Sequence, residues 1–312
     1  MPVLGVDTSN YTTSLALVDG LSVLEDRRIV LSVPEGGRGL QQSSALFQHV
    51  QNLPVLMETI GTAGHAIEAV AASARPRPAE GSYMPVFMAG TSAGRMLASA
   101  LSVPFFETSH QEGHIMAGCF SIGWAPETPF LAFHISGGTT ELLVATPASQ
   151  GFQLALVGQT TDLHAGQVVD RIGVALGLKF PAGPSLEQLA LGHDGSPTGL
   201  SLKAHVSGSN CSLSGLESAA QRQIAAGAGG SALAYEVQRL LAETFCAMAK
   251  HAAAETGIRE ILVIGGVASN QYIRGQMLGV LGKSGIAMRF AANPFSSDNA
   301  VGVAAIGQQF FR

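Results

Sequence analysis

The sequence predicts an α/β protein built from a duplicated unit, and three observations lead there. Val3–Asp7 reads as a strand, Thr8 to Thr12 as a polar turn and Ser14 to Val18 as the returning strand, with Asp19-Gly20 as a turn signal. The same order returns later: strand at Pro129 to Ile135, polar turn at Ser136 to Thr140, return at Glu141 to Ala145. Each hairpin is followed by alternating helix and strand signals. These features imply two lobes around one cleft, residues 1–124 and 125–299, with a C-terminal helix over 300–312 packing back on the first.

The remaining elements follow from periodicity. Leu40 to Ile60 is helical in pattern, Ile67 to Ala72 a short apolar strand, and Arg75 to Gly81 a proline-rich loop. Val86 to Ala89 reads as another short strand before a helix through Arg95 to Leu101. Val168 to Leu176 and Ala232 to Ala254 read as helices. Arg259 to Ile264 is a buried strand ending in Gly265-Gly266, and Ala300 to Phe311 is an apolar helix. No linker is rich enough in Pro, Ser or charge to separate freely moving domains.

Composition narrows the class. Of the 312 residues 46% are hydrophobic and only 12% charged, so most of the chain is interior, interface or tight turn. Many of the 38 glycines sit at the ends of predicted strands, which suits a backbone approaching a ligand. The net charge of −5 and the thin spread of 17 basic residues announce no nucleic-acid surface, although RNA stays open as a substrate if a partner carries the phosphate contacts. Three cysteines without paired spacing fit a reducing cytoplasm, and no apolar run reaches membrane-spanning length. A cytoplasmic protein is expected.

His110 and His114 lie one helical turn apart, so on a helix both imidazoles share a face and can grip one metal ion. Zinc proteases place Glu directly after the first His. Here the Glu is Glu112, roughly 200° around the helix from His110, which argues against that chemistry. Further ligand candidates are His134 and Asp298, each beside a polar or glycine-rich turn. Read alone, His134 also suits a core position and Asp298 a helix cap.

Three turns suit a nucleotide. Asp7-Thr8-Ser9 can hold a phosphate or its metal, or be a simple turn. Ser136-Gly137-Gly138-Thr139-Thr140 allows positive φ and close backbone approach, with hydroxyls on both sides. Gly265-Gly266-Val267-Ala268-Ser269-Asn270 follows a buried strand. Asp162 and Asp170 bracket Gly166; a carboxylate there could accept ribose hydroxyls, or Asp162 could cap a helix. The dinucleotide fingerprint is absent, and Gly282-Lys283-Ser284 has Met277 where a P-loop needs its first glycine.

Taken in order, Gly5 to Ser9, His110-x-x-x-His114, Ser136 to Gly138, Gly166 with Asp170, Ser212 to Leu216, Gly265 to Asn270 and Ser297 to Asn299 span nearly the whole chain. Through them the sequence resembles the TsaD family of tRNA threonylcarbamoyladenosine transferases, which share the actin/hexokinase/Hsp70-like (ASKHA) fold with its nucleotide cleft. The resemblance implies one Fe²⁺ or Zn²⁺ per chain on His110, His114 and Asp298, with His134 as a further ligand. With Asp7 the first three form the implied catalytic set. ATP or an acyl-adenylate would lie along Ser136, Gly137 and Gly138, with Gly166 and Asp170 near the ribose, Gly183 close by, Asn270 near the adenine, and Gly265 and Gly266 also in the cofactor-binding set.

The implied reaction moves a threonylcarbamoyl group from its adenylate to N6 of a tRNA adenosine. The metal acts as a Lewis acid and glycine-turn N–H groups stabilise developing charge. Implied partners are a nucleotide, tRNA and an ASKHA-like subunit, with no membrane. Departures cluster on the acceptor side. Tyr11 and Thr12 replace two acidic residues, and Arg75-Pro76-Arg77 replaces a Gly-Pro-Gly loop. Gly37 to Ser44 is altered ahead of a retained His49, and Leu163 and Gln167 stand where carboxylates are usual. A divergent paralogue carbamoylating a small molecule, and a nucleotide-binding partner without turnover, therefore stay open beside the tRNA reading.

Overall fold

The computed structural model describes residues 1–9, 11–33, 40–61 and 64–311. Asn10 and residues 37–39 of the altered Gly37 to Ser44 segment lie outside them. The chain forms two compact units: Met1–Thr128 with Thr146–Gln153 and Pro294–Arg312, and Pro129–Ala145 with Leu154–Asn293.

The first unit opens with β1 (Val3–Asp7), wholly buried, then β2 (Thr12–Asp19) and β3 (Ser22–Val30). Helix α1 (Gln42–Gly61), β4 (Ala69–Arg75), α2 (Phe87–Leu101), β5 (Phe105–Ser109) and α3 (His110–Ser121) follow. The sheet order is β3-β2-β1-β4-β5; β1 and β2 are antiparallel, while β4 runs parallel to both β1 and β5. Alternation then divides the core. Leu4, Val6, Val70 and Ala72 face Leu53, Leu56 and Ala98 of α1 and α2.

Val86 to Ala89 is not a strand: Val86 is the N-cap of α2, and the segment continues into it. A four-residue apolar run carries no period that separates strand from helix. Tertiary contact decides here, because Thr8 Oγ1 donates to Val86 O (2.9 Å) and accepts from Gly90 N (3.0 Å). β3 had no sequence expectation; it is a half-exposed edge strand whose charges pair along it, Arg27 with Glu25 and Arg28 with Asp26.

The second unit holds β6 (Phe130–Ile135), all but the end of β7 (Thr140–Pro147), all but the start of β8 (Phe152–Gln159), α4 (Ala165–Ala175), α5 (Gly183–Ala190), β9 (His205–Ser207) and β10 (Asn210–Ser212). It continues with α6 (Ser214–Ala225), α7 (Gly230–Thr256), β11 (Glu260–Ile264), α8 (Gln271–Gly282) and β12 (Ala287–Phe290). Its five-stranded sheet has the order β12-β11-β6-β7-β8, with β11 parallel to β6 and to β12. Phe133, Ile172, Phe245 and Val263 are among its fully buried core.

The chain ends with α9 (Val301–Gln309), which packs in the first unit, where Val303 joins Val3, Ala69 and Ala71. Helices α3 and α9 approach backbone to backbone: a Cβ at Gly302 would lie 1.9 Å from Gly113 O. No helix among the described residues is long and apolar enough to cross a membrane.

Candidate metal centre and nucleotide turns

β5 runs directly into α3, and Ser109 at the junction is the N-cap. Its hydroxyl accepts from Glu112 N (3.2 Å), while Glu112 Oε2 accepts from Ser109 N (3.1 Å), a reciprocal capping box. This places His110 on the first turn and His114 directly above it. Glu112 turns into the interior, where it also accepts from Phe152 N (3.3 Å), so it is a structural carboxylate.

The two rings meet edge to face at 4.4 Å between centroids, with Nε2 to Nε2 at 3.0 Å. Asp298 Oδ1 closes the triangle, 3.1 Å from His114 Nε2 and 3.7 Å from His110 Nε2. Around one ion with N and O ligands at about 2.0–2.2 Å, neighbouring donor atoms sit about 3.0–3.5 Å apart. The three donors lie within 4.8 Å of one another. They fit one divalent cation, and the mixed N/O set suits Fe²⁺ or Zn²⁺.

Asp298 does not cap α9. Asn299 Oδ1 takes Val301 N (3.0 Å) and Ser14 Oγ takes Ala300 N (2.9 Å), leaving the Asp298 carboxylate with the histidines. Arg28 fixes the loop by donating to Asp298 O (3.3 Å) and Ser297 Oγ (3.1 Å). No local motif in the sequence signalled that role for Arg28, which sits on the edge strand.

Asp7 lies behind the candidate ligands. Its Oδ2 pairs with His110 Nδ1 at 2.7 Å and its Oδ1 accepts from Ser9 N at 2.7 Å. A carboxylate on Nδ1 leaves the Nε2 lone pair for a metal, the usual outer partner of a ligating imidazole. Burial opposes charge on both groups. Even so, the Asp7 carboxylate, with Asp298, raises His110 to about 9, and the His110 ring holds Asp7 below the ordinary carboxylate range. Nearby, burial pushes His49 down to about 4, so its neutral ring pairs Nδ1 with Thr13 Oγ1 at 2.9 Å.

The nucleotide candidates lie in the second unit. The tip of the Ser136 to Thr140 turn rests on the start of α4: Gly166 N donates to Ser136 O (3.1 Å), and a Cβ on Gly166 would lie 2.6 Å from Gly137 Cα. Gly137 and Gly138 are exposed, neither uses the positive φ that glycine permits, and a Cβ on either would meet nothing within 4 Å. The close approach is required of Gly166 instead. Gly265 does take positive φ (101°), and a Cβ there would sit 2.3 Å from Ile135 O and 3.0 Å from His134 Cδ2. His134 is buried on β6, in register with Glu141 and Ile264.

Asp170 accepts from Ala182 N at 2.7 Å, which brings it beside Gly183 at the start of α5; burial raises its carboxyl above the ordinary value. Gly266 opens a short 3-10 turn that ends at Asn270. Asn270 caps α8 through Ile273 N (2.9 Å) and donates to Gln238 (3.2 Å), a structural use the sequence did not distinguish from adenine recognition. Asp162 caps α6, not the helix that follows it. It accepts from Ser212 Oγ (2.6 Å), Ser214 Oγ (2.5 Å) and Leu213 N (2.8 Å); although desolvation opposes them, these donors hold it far below the ordinary carboxylate range.

The family model for TsaD, tRNA N6-adenosine threonylcarbamoyltransferase, matches residues 36–305. A tRNA N6-adenosine threonylcarbamoyltransferase of Symbiobacterium thermophilum is 30% identical over 325 residues, covering 99% of this chain and 92% of the relative. Among solved structures, full-length HypF in its phosphate- and nucleotide-bound form aligns with a TM-score of 0.63 at 12% identity, over 100% of this chain and 46% of HypF. A ROK family glucokinase from Streptomyces griseus, in complex with glucose and AMPPNP, gives a TM-score of 0.54 at 15% identity over 99% of this chain and 100% of that one. Likeness at these identities speaks to the fold alone, which is the actin/hexokinase/Hsp70-like one.

Proposed function

Because the chain belongs to the TsaD family, we propose that it transfers a threonylcarbamoyl group from an acyl-adenylate to an acceptor amine, N6 of a tRNA adenosine. The observation that carries the reading is the convergence of His110, His114 and Asp298 on one cation-sized triangle, backed by Asp7. Those residues would hold Fe²⁺ or Zn²⁺. When bound, that ion supplies Lewis acidity toward a phosphate or carbonyl oxygen.

The chain's own groups do the rest. Asp7 keeps the His110 tautomer that offers Nε2, and Arg28 holds the loop that presents Asp298. Ser136 and the N–H groups of Gly137 and Gly138 bind the adenylate's phosphate, with Gly166, Asp170, Gly183, Gly265, Gly266 and Asn270 around the nucleoside. The acceptor amine attacks the carbamoyl carbon, the C–O bond to phosphate breaks, AMP leaves and the amine loses its proton.

A partner subunit of the same fold belongs to the proposal. A groove of about 690 Å³ between α1 and α2 is almost wholly apolar, with Val50, Met88 and Met96 on its exposed rim. Glu58 and Arg95 are the only carboxylate and cation of those two helices, so a helical partner with an apolar face suits it.

The test is metal content and ATP binding on wild type and His110→Ala, followed by transfer from threonylcarbamoyl-AMP to tRNA. Wild type should carry one metal per chain and label tRNA, and the variant should lose both. His134→Ala in the same metal analysis tests the additional ligand. Retained ATP binding with no labelled RNA would move the assignment to a small-molecule acceptor.

A further inference from the structure

The His110 ring has a neighbour outside the candidate ligand set. Phe87, the first residue of α2, lies 6.1 Å from it between ring centroids, with the planes tilted by 55°. His114 meets the same ring at 4.4 Å and 74°, and Asp7 holds its Nδ1 at 2.7 Å. A single hydrogen bond fixes where Nδ1 sits and leaves the ring free to swing about that contact, because the ring torsion of histidine is soft. An aromatic ring packed within the range of stable pairs, roughly 4.5–7 Å, restricts the swing.

Phe87 is itself firmly held. It is 2% exposed and packs in an apolar cluster with Leu31, Ala45 and Val86. Its backbone N donates to Met84 O (3.3 Å), and its carbonyl accepts from Thr91 Oγ1 (2.9 Å). The turn that carries it is tied to the end of β1. Thr8 Oγ1 donates to Val86 O at 2.9 Å and accepts from Gly90 N at 3.0 Å. A Cβ on Gly90 would lie 2.8 Å from Thr8 Oγ1 and 3.1 Å from Val6 Cγ1, so helix and strand are in close contact there. Asp7 directly precedes Thr8. The two supports of His110, a carboxylate and an aromatic ring, are thus referred to one strand end and keep a fixed relation to each other.

We infer that Phe87 is a positioning residue for the candidate metal centre, holding the His110 imidazole with Nε2 set for the ion before the ion arrives. The inference rests on the proposed metal-dependent reading. Phe87 offers no donor atom and no charge; its part is to remove a motion that binding would otherwise have to stop. Immobilising one mobile side chain on association corresponds to about a 2- to 12-fold change in affinity.

The test compares the full chain as wild type, Phe87→Leu and Leu31→Ala. Leu31 belongs to the same cluster and carries no ring, so its truncation reports lost packing alone. Zn²⁺ affinity is read by competition with a chromophoric chelator and stability by thermal melting in chelator. The His110 imidazole is read by ¹H–¹³C NMR of metal-free protein, assigned by its absence in His110→Ala. Both cluster variants should melt below wild type. Only Phe87→Leu should bind Zn²⁺ more weakly, by about 2- to 12-fold, and only there should a single sharp His110 signal broaden or double. Wild-type affinity in Phe87→Leu overturns the inference, as does an equal affinity loss in Leu31→Ala, which would make the effect one of packing. Phe87→Met, closer in volume, carries the same expectations where Phe87→Leu fails to fold. Failure of the metal reading is separable. Wild type without Zn²⁺ binding removes the candidate centre, while an unchanged His110 signal in metal-free Phe87→Leu removes the role of Phe87.

Discussion

Replacing Asp7 by asparagine keeps the shape of the side chain and inverts one hydrogen bond. Ser9 N donates to Oδ1 at 2.7 Å, so the asparagine oxygen stays there and its NH₂ faces His110 Nδ1, the atom Asp7 now meets at 2.7 Å. Nδ1 must then accept, and the neutral ring's proton moves to Nε2. Nε2 is the atom 3.0 Å from His114 Nε2 and 3.7 Å from Asp298 Oδ1, where a cation would need a lone pair. Loss of such an outer partner typically costs about 10- to 100-fold in metal affinity, or about 1.4–2.7 kcal/mol. A pH arm makes the test sharper. With His110 raised to about 9, binding in wild type must displace a proton, so affinity should climb roughly tenfold per pH unit toward that value. In Asp7→Asn, burial acts on the ring with less opposition, and the climb should end at lower pH. Competition of Zn²⁺ with a chromophoric chelator between pH 6 and about 9 measures both effects. Affinity within twofold of wild type, with the same pH slope, would refute the tautomer argument.

Metal-free protein should lose stability in alkali. His110 is raised to about 9 when folded against about 6.5 unfolded, so its contribution is complete below the unfolded value and disappears as pH rises through about 9. The loss is on the order of 3 kcal/mol, read by urea unfolding in chelator. Gly302→Ala must separate α3 from α9, since the new Cβ would fall 1.9 Å from Gly113 O. Zn²⁺ affinity should drop at least tenfold and stability by about 1–3 kcal/mol, with calorimetry and thermal melting as readouts. Gly166→Ala would press on Gly137 at 2.6 Å, and it should weaken ATP binding while leaving Zn²⁺ affinity unchanged.

Much of the local structure was legible because its signals are local. Alternation and polar turns located both hairpins, and the four-residue spacing put His110 and His114 on one face of a helix. Asp298 was a candidate only through the family pattern, because nothing in Ser297 to Asn299 distinguishes a ligand from a cap. The structure gives the capping work to Asn299 and Ser14 and sets the Asp298 carboxylate beside His110 and His114. The role of Asp7 behind His110 was hidden for a different reason. It depends on strand order, with β4 lying between β1 and β5, and a list of strands does not contain their order. At the Ser136 turn the packing demand falls on Gly166, whose Cβ would press on Gly137 Cα at 2.6 Å, a contact between segments distant in the chain that has no sequence signature.

The same sheet order shows why the departures from the family pattern need not disturb the candidate metal centre. The geometry of His110, His114 and Asp298 is set by the capping box at Ser109, the glycine contact between α3 and α9, and the Arg28 clamp on the Asp298 loop. Substituting Gly-Pro-Gly by Arg75-Pro76-Arg77 touches none of these. The β4 end meets the first turn of α3 through a backbone carbonyl, Pro76 O, which accepts from Gln111 N whatever side chain stands at position 75.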